Sequence, residues 1–151
     1  MTLIDPLAAT FQLDGSNGEG VLVLHGFGGT PAHLRMLSAH LNDAGYTVGG
    51  PLLEGHGTNL EHMERTHRRD WLASARSGFE ELSAACNRVH LFGFSMGGLL
   101  ALSLAAQTHP ASLTTLNTPI RLHDRRHPLA RVMQYVQRFR MWDGSEPRPA
   151  G

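Results

Sequence analysis

A serine lies between two glycines in the segment GFSMG, Gly93–Gly97, which follows an apolar run and precedes an apolar stretch. In this G-x-S-x-G pattern a sharp strand-to-helix turn lifts the serine hydroxyl above the edge of a sheet. Small residues at Gly93, Gly97 and Gly98 let the strand and the helix approach each other closely. The pattern predicts Ser95 as a nucleophile for acyl transfer. The alternative is a glycine-rich turn that only packs.

A second glycine-rich segment, HGFGGT, follows the first apolar run at His25–Thr30. Acyl transfer places negative charge on the carbonyl oxygen of the substrate, and a pair of backbone N–H groups stabilises that charge. The glycines, Gly26 among them, allow this backbone to approach a ligand. We therefore predict an oxyanion hole formed by the N–H groups of Phe27 and Met96. A phosphate-binding loop is the alternative, but the pattern G-x-x-x-x-G-K-[ST] does not occur in the sequence.

Alternating apolar runs and amphipathic segments indicate the elements that position these residues. Short apolar runs predict strands at Val21–Leu24, Tyr46–Leu53, Val89–Phe94 and Leu113–Asn117. Helical spacing predicts helices from Pro31 to Gly45, from Asp70 onward, at Met96–Thr108 and from Pro128 onward. Alternation of strands and helices implies an α/β fold, an open parallel sheet with helices on both faces.

Three segments in this order, LVLHGFGGTP, PLLEGHGT and LFGFSMGG, resemble the α/β-hydrolases, in particular the bacterial carboxylesterases and monoacylglycerol-lipase-like serine hydrolases. The resemblance implies hydrolysis of carboxylic esters with an apolar acyl chain through an acyl-enzyme on Ser95, with Phe27 and Met96 in the oxyanion hole. It also implies a hydrolase core at 1–120 and the start of a cap over an acyl-binding pocket at 121–142. Residues 143–151 are expected to form a disordered tail.

The base that would activate Ser95 is the open question of the sequence. In this fold the acid and the histidine follow the nucleophile along the chain. His109 lies about 20 Å away if the intervening 13 residues are helical. His123 and His127, with Asp124, are the remaining acid and base candidates, and a solvated cap segment is the alternative for them. The resemblance also implies later strands, so the sequence predicts a sheet that is incomplete at its C-terminal side.

Two functions from different classes therefore stay open. The first is a serine hydrolase of the carboxylesterase or monoacylglycerol lipase type. The second is a truncated, inactive hydrolase fragment or an acyl-binding module that lacks the triad acid and histidine. Labelling of Ser95 by a fluorophosphonate separates the two, because both the labelling and turnover depend on activation of the hydroxyl.

Composition narrows the choice of partners. The 13 basic and 13 acidic residues give no net field that would favour nucleic acid. No apolar run has the length of a membrane span. The single cysteine, Cys86, and a first segment without signal-peptide features predict a cytoplasmic protein.

His62 and His67 are five residues apart, unlike the ligands of H-E-x-x-H, so we predict no metal and no cofactor. The oligomeric state is left open.

Overall fold

The structure, a computed structural model, describes residues 5–121. Its strands are β1 (Phe11–Leu13), β2 (Glu19–Leu24), β3 (Thr47–Gly50), β4 (Arg88–Phe94) and β5 (Ser112–Leu116). Its α-helices are α1 (Arg35–Asp43), α2 (Leu60–Glu64), α3 (Arg68–Ala85) and α4 (Met96–Ala105), and 3₁₀ turns occupy Pro6–Ala8 and Pro31–Leu34. The four predicted strands and the three helices predicted before residue 121 are confirmed.

The strands form one sheet in the order β1-β3-β2-β4-β5. Strands β3, β2, β4 and β5 run parallel to one another, as expected. Strand β1 runs antiparallel to β3, with Phe11 opposite Gly50, so the expectation of a wholly parallel sheet is wrong at this edge. The α/β-hydrolase-type architecture is confirmed in this mixed form, in which an antiparallel strand occupies one edge of a parallel sheet.

Strand β2 is buried on both faces, which explains its continuous apolar run. Leu22 and Leu24 pack in one core cluster with residues of α3, β4 and α4. Val21 and Val23 pack in a second cluster with Leu34 and side chains of the neighbouring strands. Each such side chain contributes about 1.5–3 kcal/mol of transfer free energy when fully buried. The central strand is thereby fixed between two layers, and the loop at its C-terminal end starts from a rigid base.

Helix α4 is apolar nearly all round in sequence, but only one face of it is buried. Leu100, Ala101 and Leu104 are buried in the core, but Leu99 and Leu102, on the opposite face, are 38% and 39% exposed. Among residues 5–121 no helix is long and apolar enough to cross a membrane. The predicted cap at 121–142, apart from Arg121, and the tail at 143–151 lie outside the described residues.

Candidate active site

Ser95 occupies the single residue between β4 and α4, and its backbone is strained. Its φ is 53° and its ψ is −118°, in a region that non-glycine residues rarely adopt. Such a conformation costs on the order of 1–3 kcal/mol and persists only where neighbouring interactions hold it. Ser95 N–H donates to the Leu116 carbonyl at 2.8 Å, and Gly98 N–H donates to the Ser95 carbonyl at 3.0 Å. These bonds tie the serine to β5 on one side and to its own helix on the other.

Two glycines make the sharp turn possible, because at each of them neighbouring backbone atoms occupy the space that a side chain would need. A Cβ on Gly93 would overlap the carbonyl oxygen of Gly97, and a Cβ on Gly97 would overlap the carbonyl oxygen of Leu24. Helix α4 therefore starts directly against the end of β2. As a result Ser95 stands beside the loop that follows β2.

That loop contains a tight turn closed by a hydrogen bond from Gly29 N–H to the Gly26 carbonyl at 3.0 Å. Gly28, at its third position, has a φ of 67°, as a type II turn requires. A Cβ on Gly26 would lie 3.3 Å from the Ser95 Cβ, so the loop touches the serine. Phe27 stands at the second position of the turn, and within residues 5–121 its N–H makes no hydrogen bond.

Phe27 and Met96 follow two neighbouring strands at the same distance along the sequence. Leu24 and Gly93 form the last pair between β2 and β4. Phe27 follows Leu24 by three residues, and Met96 follows Gly93 by three. Met96 is also the first residue of α4, where helix N–H groups have no partner within the helix. The two N–H groups therefore follow the C-terminal ends of adjacent strands, where Ser95 also lies.

His25 holds the start of this loop with both ring nitrogens. Its Nδ1–H donates to the Gly26 carbonyl at 3.0 Å, and its Nε2 accepts the Leu53 N–H at 3.2 Å. The side chain is 1% exposed, and this burial lowers the pKa of His25 from 6.5 to about 4. His25 is therefore neutral at pH 7 with both nitrogens in use. Its two hydrogen bonds therefore shape the start of the turn.

Four rings meet behind the loop in what we call the ring cluster, made of His25, Phe27, His56 and Trp71. The His56 ring centroid lies 5.1 Å from that of His25, 6.0 Å from that of Phe27 and 5.6 Å from that of Trp71. Phe27 and Trp71 are 5.9 Å apart. His56 is 2% exposed, and burial lowers the pKa of its imidazole. Sequence reasoning placed His56 in a loop beside the site but missed these contacts, because Trp71 belongs to no recognisable motif.

The comparisons with known proteins identify the family. Residues 16–141 match the family model described as "Serine aminopeptidase, S33", which covers most of the chain. The chain belongs to this family of α/β-hydrolases. Membership accounts for the sheet order and for the G-x-S-x-G turn between a strand and a helix.

Relatives of this S33 hydrolase are named as lipases and esterases. It is 50% identical to the thermostable monoacylglycerol lipase of Bacillus sp. (strain H-257) over 91 residues, which are 60% of this chain and 36% of the lipase. It is 30% identical to a carboxylesterase of Bacillus subtilis (strain 168) over 148 residues, 97% of this chain and 59% of the esterase. A solved structure from a study of the metagenome-derived lipolytic enzymes LipS and LipT superposes with a TM-score of 0.75 at 35% identity. That match covers 80% of this chain and 49% of the other, so the chain spans about a third to three fifths of these relatives.

The predicted site residues of this S33 hydrolase fall into two groups. One group meets at the C-terminal ends of β2 and β4: Ser95, Phe27, Met96, Gly26, Gly93, Gly97 and Gly98. The other group, His123, Asp124 and His127, lies outside the described residues. Within residues 5–121 the Ser95 hydroxyl has no hydrogen-bond partner, and His109 is exposed beyond the far end of α4. The described part of the chain also holds no cluster of three side chains that could bind a metal ion.

Proposed function

We propose that Ser95 is the nucleophile of a carboxylic ester hydrolase, with the N–H groups of Phe27 and Met96 as its oxyanion hole. The observation that carries this proposal is the strained Ser95 backbone beside two backbone donors that leave adjacent strands. A strained backbone costs free energy, and such residues cluster at active sites, where the strain fixes the direction of a side chain. The names of the lipase and carboxylesterase relatives support the same reaction class.

The reaction then follows from the geometry. The Ser95 Oγ attacks the carbonyl carbon of the ester, its proton passes to a base, and the carbonyl oxygen becomes an oxyanion. The Phe27 and Met96 N–H groups stabilise that charge, and the loss of one such donor costs about 3–4 kcal/mol in the barrier. The alcohol leaves with a proton, and water hydrolyses the acyl-enzyme to release the acid. Because the donors belong to the backbone, they need no reorganisation during the reaction.

We assign the base to a residue outside 5–121. His25 uses both nitrogens in the turn, and no other imidazole of the described residues bonds to the Ser95 hydroxyl. The histidine of an α/β-hydrolase follows its nucleophile along the chain. In this chain His123 and His127, with Asp124, are the residues to test first.

For the substrate we propose esters with an apolar acyl chain. Two exposed apolar residues border the serine turn: Phe27, which is 62% exposed, and Leu116, which is 50% exposed and whose carbonyl accepts the Ser95 N–H. Apolar side chains exposed beside a nucleophile favour an acyl chain over a charged substrate. The monoacylglycerol lipase relative is in keeping with this substrate class.

A fluorophosphonate probe followed by intact-mass measurement tests the nucleophile. We expect one adduct per chain, mapped to Ser95, and none on the Ser95→Ala variant. Equal labelling of Ser95→Ala would contradict the assignment. A series of p-nitrophenyl esters from acetate to dodecanoate tests the substrate class, and we expect kcat/KM to rise with acyl length. Fatty acid binding without labelling or turnover would instead favour the second candidate, an acyl-binding module, which a Ser95 hydroxyl without a hydrogen-bond partner among residues 5–121 would suit.

A further inference from the structure

The turn that carries Phe27 has little support at its tip. Phe27 is 62% exposed, and a Cβ on Gly28 would meet no atom within 4 Å. A loop tip with so few packed neighbours opens at low free-energy cost. An oxyanion donor, however, must be held within a few tenths of an ångström of its working position before the substrate arrives. Some other group therefore has to fix the Phe27 peptide.

The ring cluster supplies that support from one side of the turn. His56 and Trp71 both meet the Phe27 ring edge-to-face, at 6.0 Å and 5.9 Å between centroids. Such pairs are worth about 0.5–1.5 kcal/mol each beyond their buried area. Trp71 is itself fixed, because its Nε1–H donates to Thr66 Oγ1 at 3.0 Å. With its ring held at two edges, Phe27 at the second position of the turn has a defined peptide orientation.

His56 is the centre of the cluster, since it is the one ring that contacts the other three. Its own position is determined by the surrounding loop. Gly55 and Gly57 on either side have φ values of 79° and 69°, and the His56 Nδ1–H donates to the Glu54 carbonyl at 3.2 Å. Two left-handed glycines and a local hydrogen bond turn this side chain inward.

The two ring nitrogens of His56 differ in what they contribute. Nδ1–H makes the local bond to Glu54 described above, whereas Nε2 is buried and has no hydrogen-bond partner among the described residues. A buried acceptor without a partner is destabilising. Toward Phe27 and Trp71 the side chain therefore presents a ring and not a hydrogen bond.

We infer that His56 is a positioning residue, whose ring fixes the Phe27 peptide through edge contacts and so preforms the oxyanion hole. The inference rests on the proposed function for the role of Phe27, but the fixing of the turn can be measured separately. It also assigns a purpose to the EGHGT segment, in which His56 neither touches Ser95 nor bonds to a loop other than its own.

The first measurement is hydrogen exchange at the Gly29 amide, which donates across the turn to the Gly26 carbonyl. In His56→Ala we expect this amide to exchange about 10-fold faster or more, because the turn opens locally. His56→Phe keeps a ring but removes both nitrogens, including the Nδ1–H that donates to the Glu54 carbonyl, so its Gly29 exchange should stay closer to the wild-type rate than that of His56→Ala. His40→Ala is the matched control, since His40 is an exposed histidine of α1 outside the cluster.

The second measurement is the rate of Ser95 labelling by the fluorophosphonate. It should fall about 10- to 100-fold in His56→Ala, less than the roughly 10²- to 10³-fold typical of complete loss of an oxyanion donor, because the donor is loosened and not removed. His56→Phe should restore it. If His56→Phe loses as much as His56→Ala in both measurements, the ring is not what matters and the inference is overturned. If Ser95 is not labelled in the wild type, the proposed function fails, and Gly29 exchange alone decides the positioning role.

Trp71 gives a second pair of variants in case His56→Ala does not fold. Trp71→Phe and Trp71→Leu both lose the hydrogen bond to Thr66, but only the first keeps a ring. Gly29 exchange should stay near the wild-type rate in Trp71→Phe and rise in Trp71→Leu. Equal rates in the two variants would contradict the inference.

Discussion

Two serines at opposite ends of the same sheet illustrate what makes a nucleophile here. Ser112, at the start of β5, is hydrogen-bonded to His90 Nδ1 at 2.8 Å, and His90 Nε2 bonds to Glu19 Oε2 at 3.0 Å. Ser95 follows the other end of β4, five residues beyond His90, or about 16 Å along the strand. Ser112 has the side chains of a triad without strain in its backbone, whereas Ser95 has the strained turn without a hydrogen-bonded base in residues 5–121.

The difference favours backbone geometry as the criterion for the site. Ser112 sits in regular extended strand, where its His90 and Glu19 contacts also join β2, β4 and β5 across the sheet. Pairs of this kind at a partly exposed surface are worth about 0.2–1 kcal/mol. At Ser95 the start of α4, the close contact of Gly97 with β2 and the turn that carries Phe27 all lie beside one serine. Preorganised donors aimed at developing charge are usually the largest single contribution to catalysis.

The largest expected effect tests this comparison directly. Ser95→Ala should lower fluorophosphonate labelling about 10³-fold or more, because the nucleophile is gone. Ser112→Ala, the matched control, should label at the wild-type rate and on Ser95. The adduct is mapped by peptide mass spectrometry. Labelling at Ser112 in the Ser95→Ala variant would show that the hydrogen-bonded relay suffices and would reverse our conclusion.

The next effect concerns the close contact at Gly97 between the start of α4 and the end of β2, at the Ser95 end of the sheet. Gly97→Ala should lower the free energy of unfolding by at least about 3 kcal/mol, because the new Cβ meets the Leu24 carbonyl and backbone yields less than a side chain does. Gly78→Ala, in α3, meets the end of the Leu22 side chain at 2.9 Å and gains helix propensity, so its change should stay within about 1 kcal/mol. Urea denaturation measures both. Similar losses of unfolding free energy in the two variants would mean that the contact between α4 and β2 at Gly97 is not unusually tight.

A smaller effect is the pH dependence of stability produced by a buried histidine at the Ser95 end of the sheet. The pKa of buried His25 is lowered from 6.5 to about 4, so the unfolded chain binds more protons than the folded one between these values. Stability is therefore highest above pH 6.5 and falls as the pH falls toward 4, by up to about 3 kcal/mol. His56, whose pKa burial also lowers, acts in the same direction.

Urea denaturation between pH 4 and pH 7 measures this dependence. His25→Asn should flatten the curve, and the slope that remains should come from His56. A slope as steep in His25→Asn as in the wild type would place the main titrating group elsewhere in the molecule.

The sequence predicted the parts of this structure that depend on local pattern. The apolar run at Val21–Leu24 indicated a strand buried on both faces, and G-x-S-x-G indicated the turn at Ser95. Strand β1, by contrast, is three residues long, too short for any periodicity, and it exists because it pairs with β3. Helix α2 is not predicted either, because five residues are too few to show a helical period and none of them is buried.

The candidate site was predictable only where a motif fixes the backbone. Phe27 and Met96 were assigned from two separate motifs, and their equivalent positions on adjacent strands required the register of β2 and β4. The ring cluster joins His25, His56 and Trp71 across 46 residues of sequence through tertiary packing alone. No single-sequence pattern encodes such contacts, because each depends on how two loops and a helix meet.

The matched positions of Phe27 and Met96 have a consequence for how this enzyme family can diversify. Phe27 and Met96 each follow the same rung of the ladder, Leu24 opposite Gly93, by three residues, so the two proposed donors start from strands about 4.8 Å apart. A side-chain substitution can tilt or loosen a donor, but the spacing of the strands from which the donors start belongs to the backbone. Under the proposed function, a change of substrate would then fall to the surrounding loops, and the sheet would carry the proposed oxyanion hole unchanged.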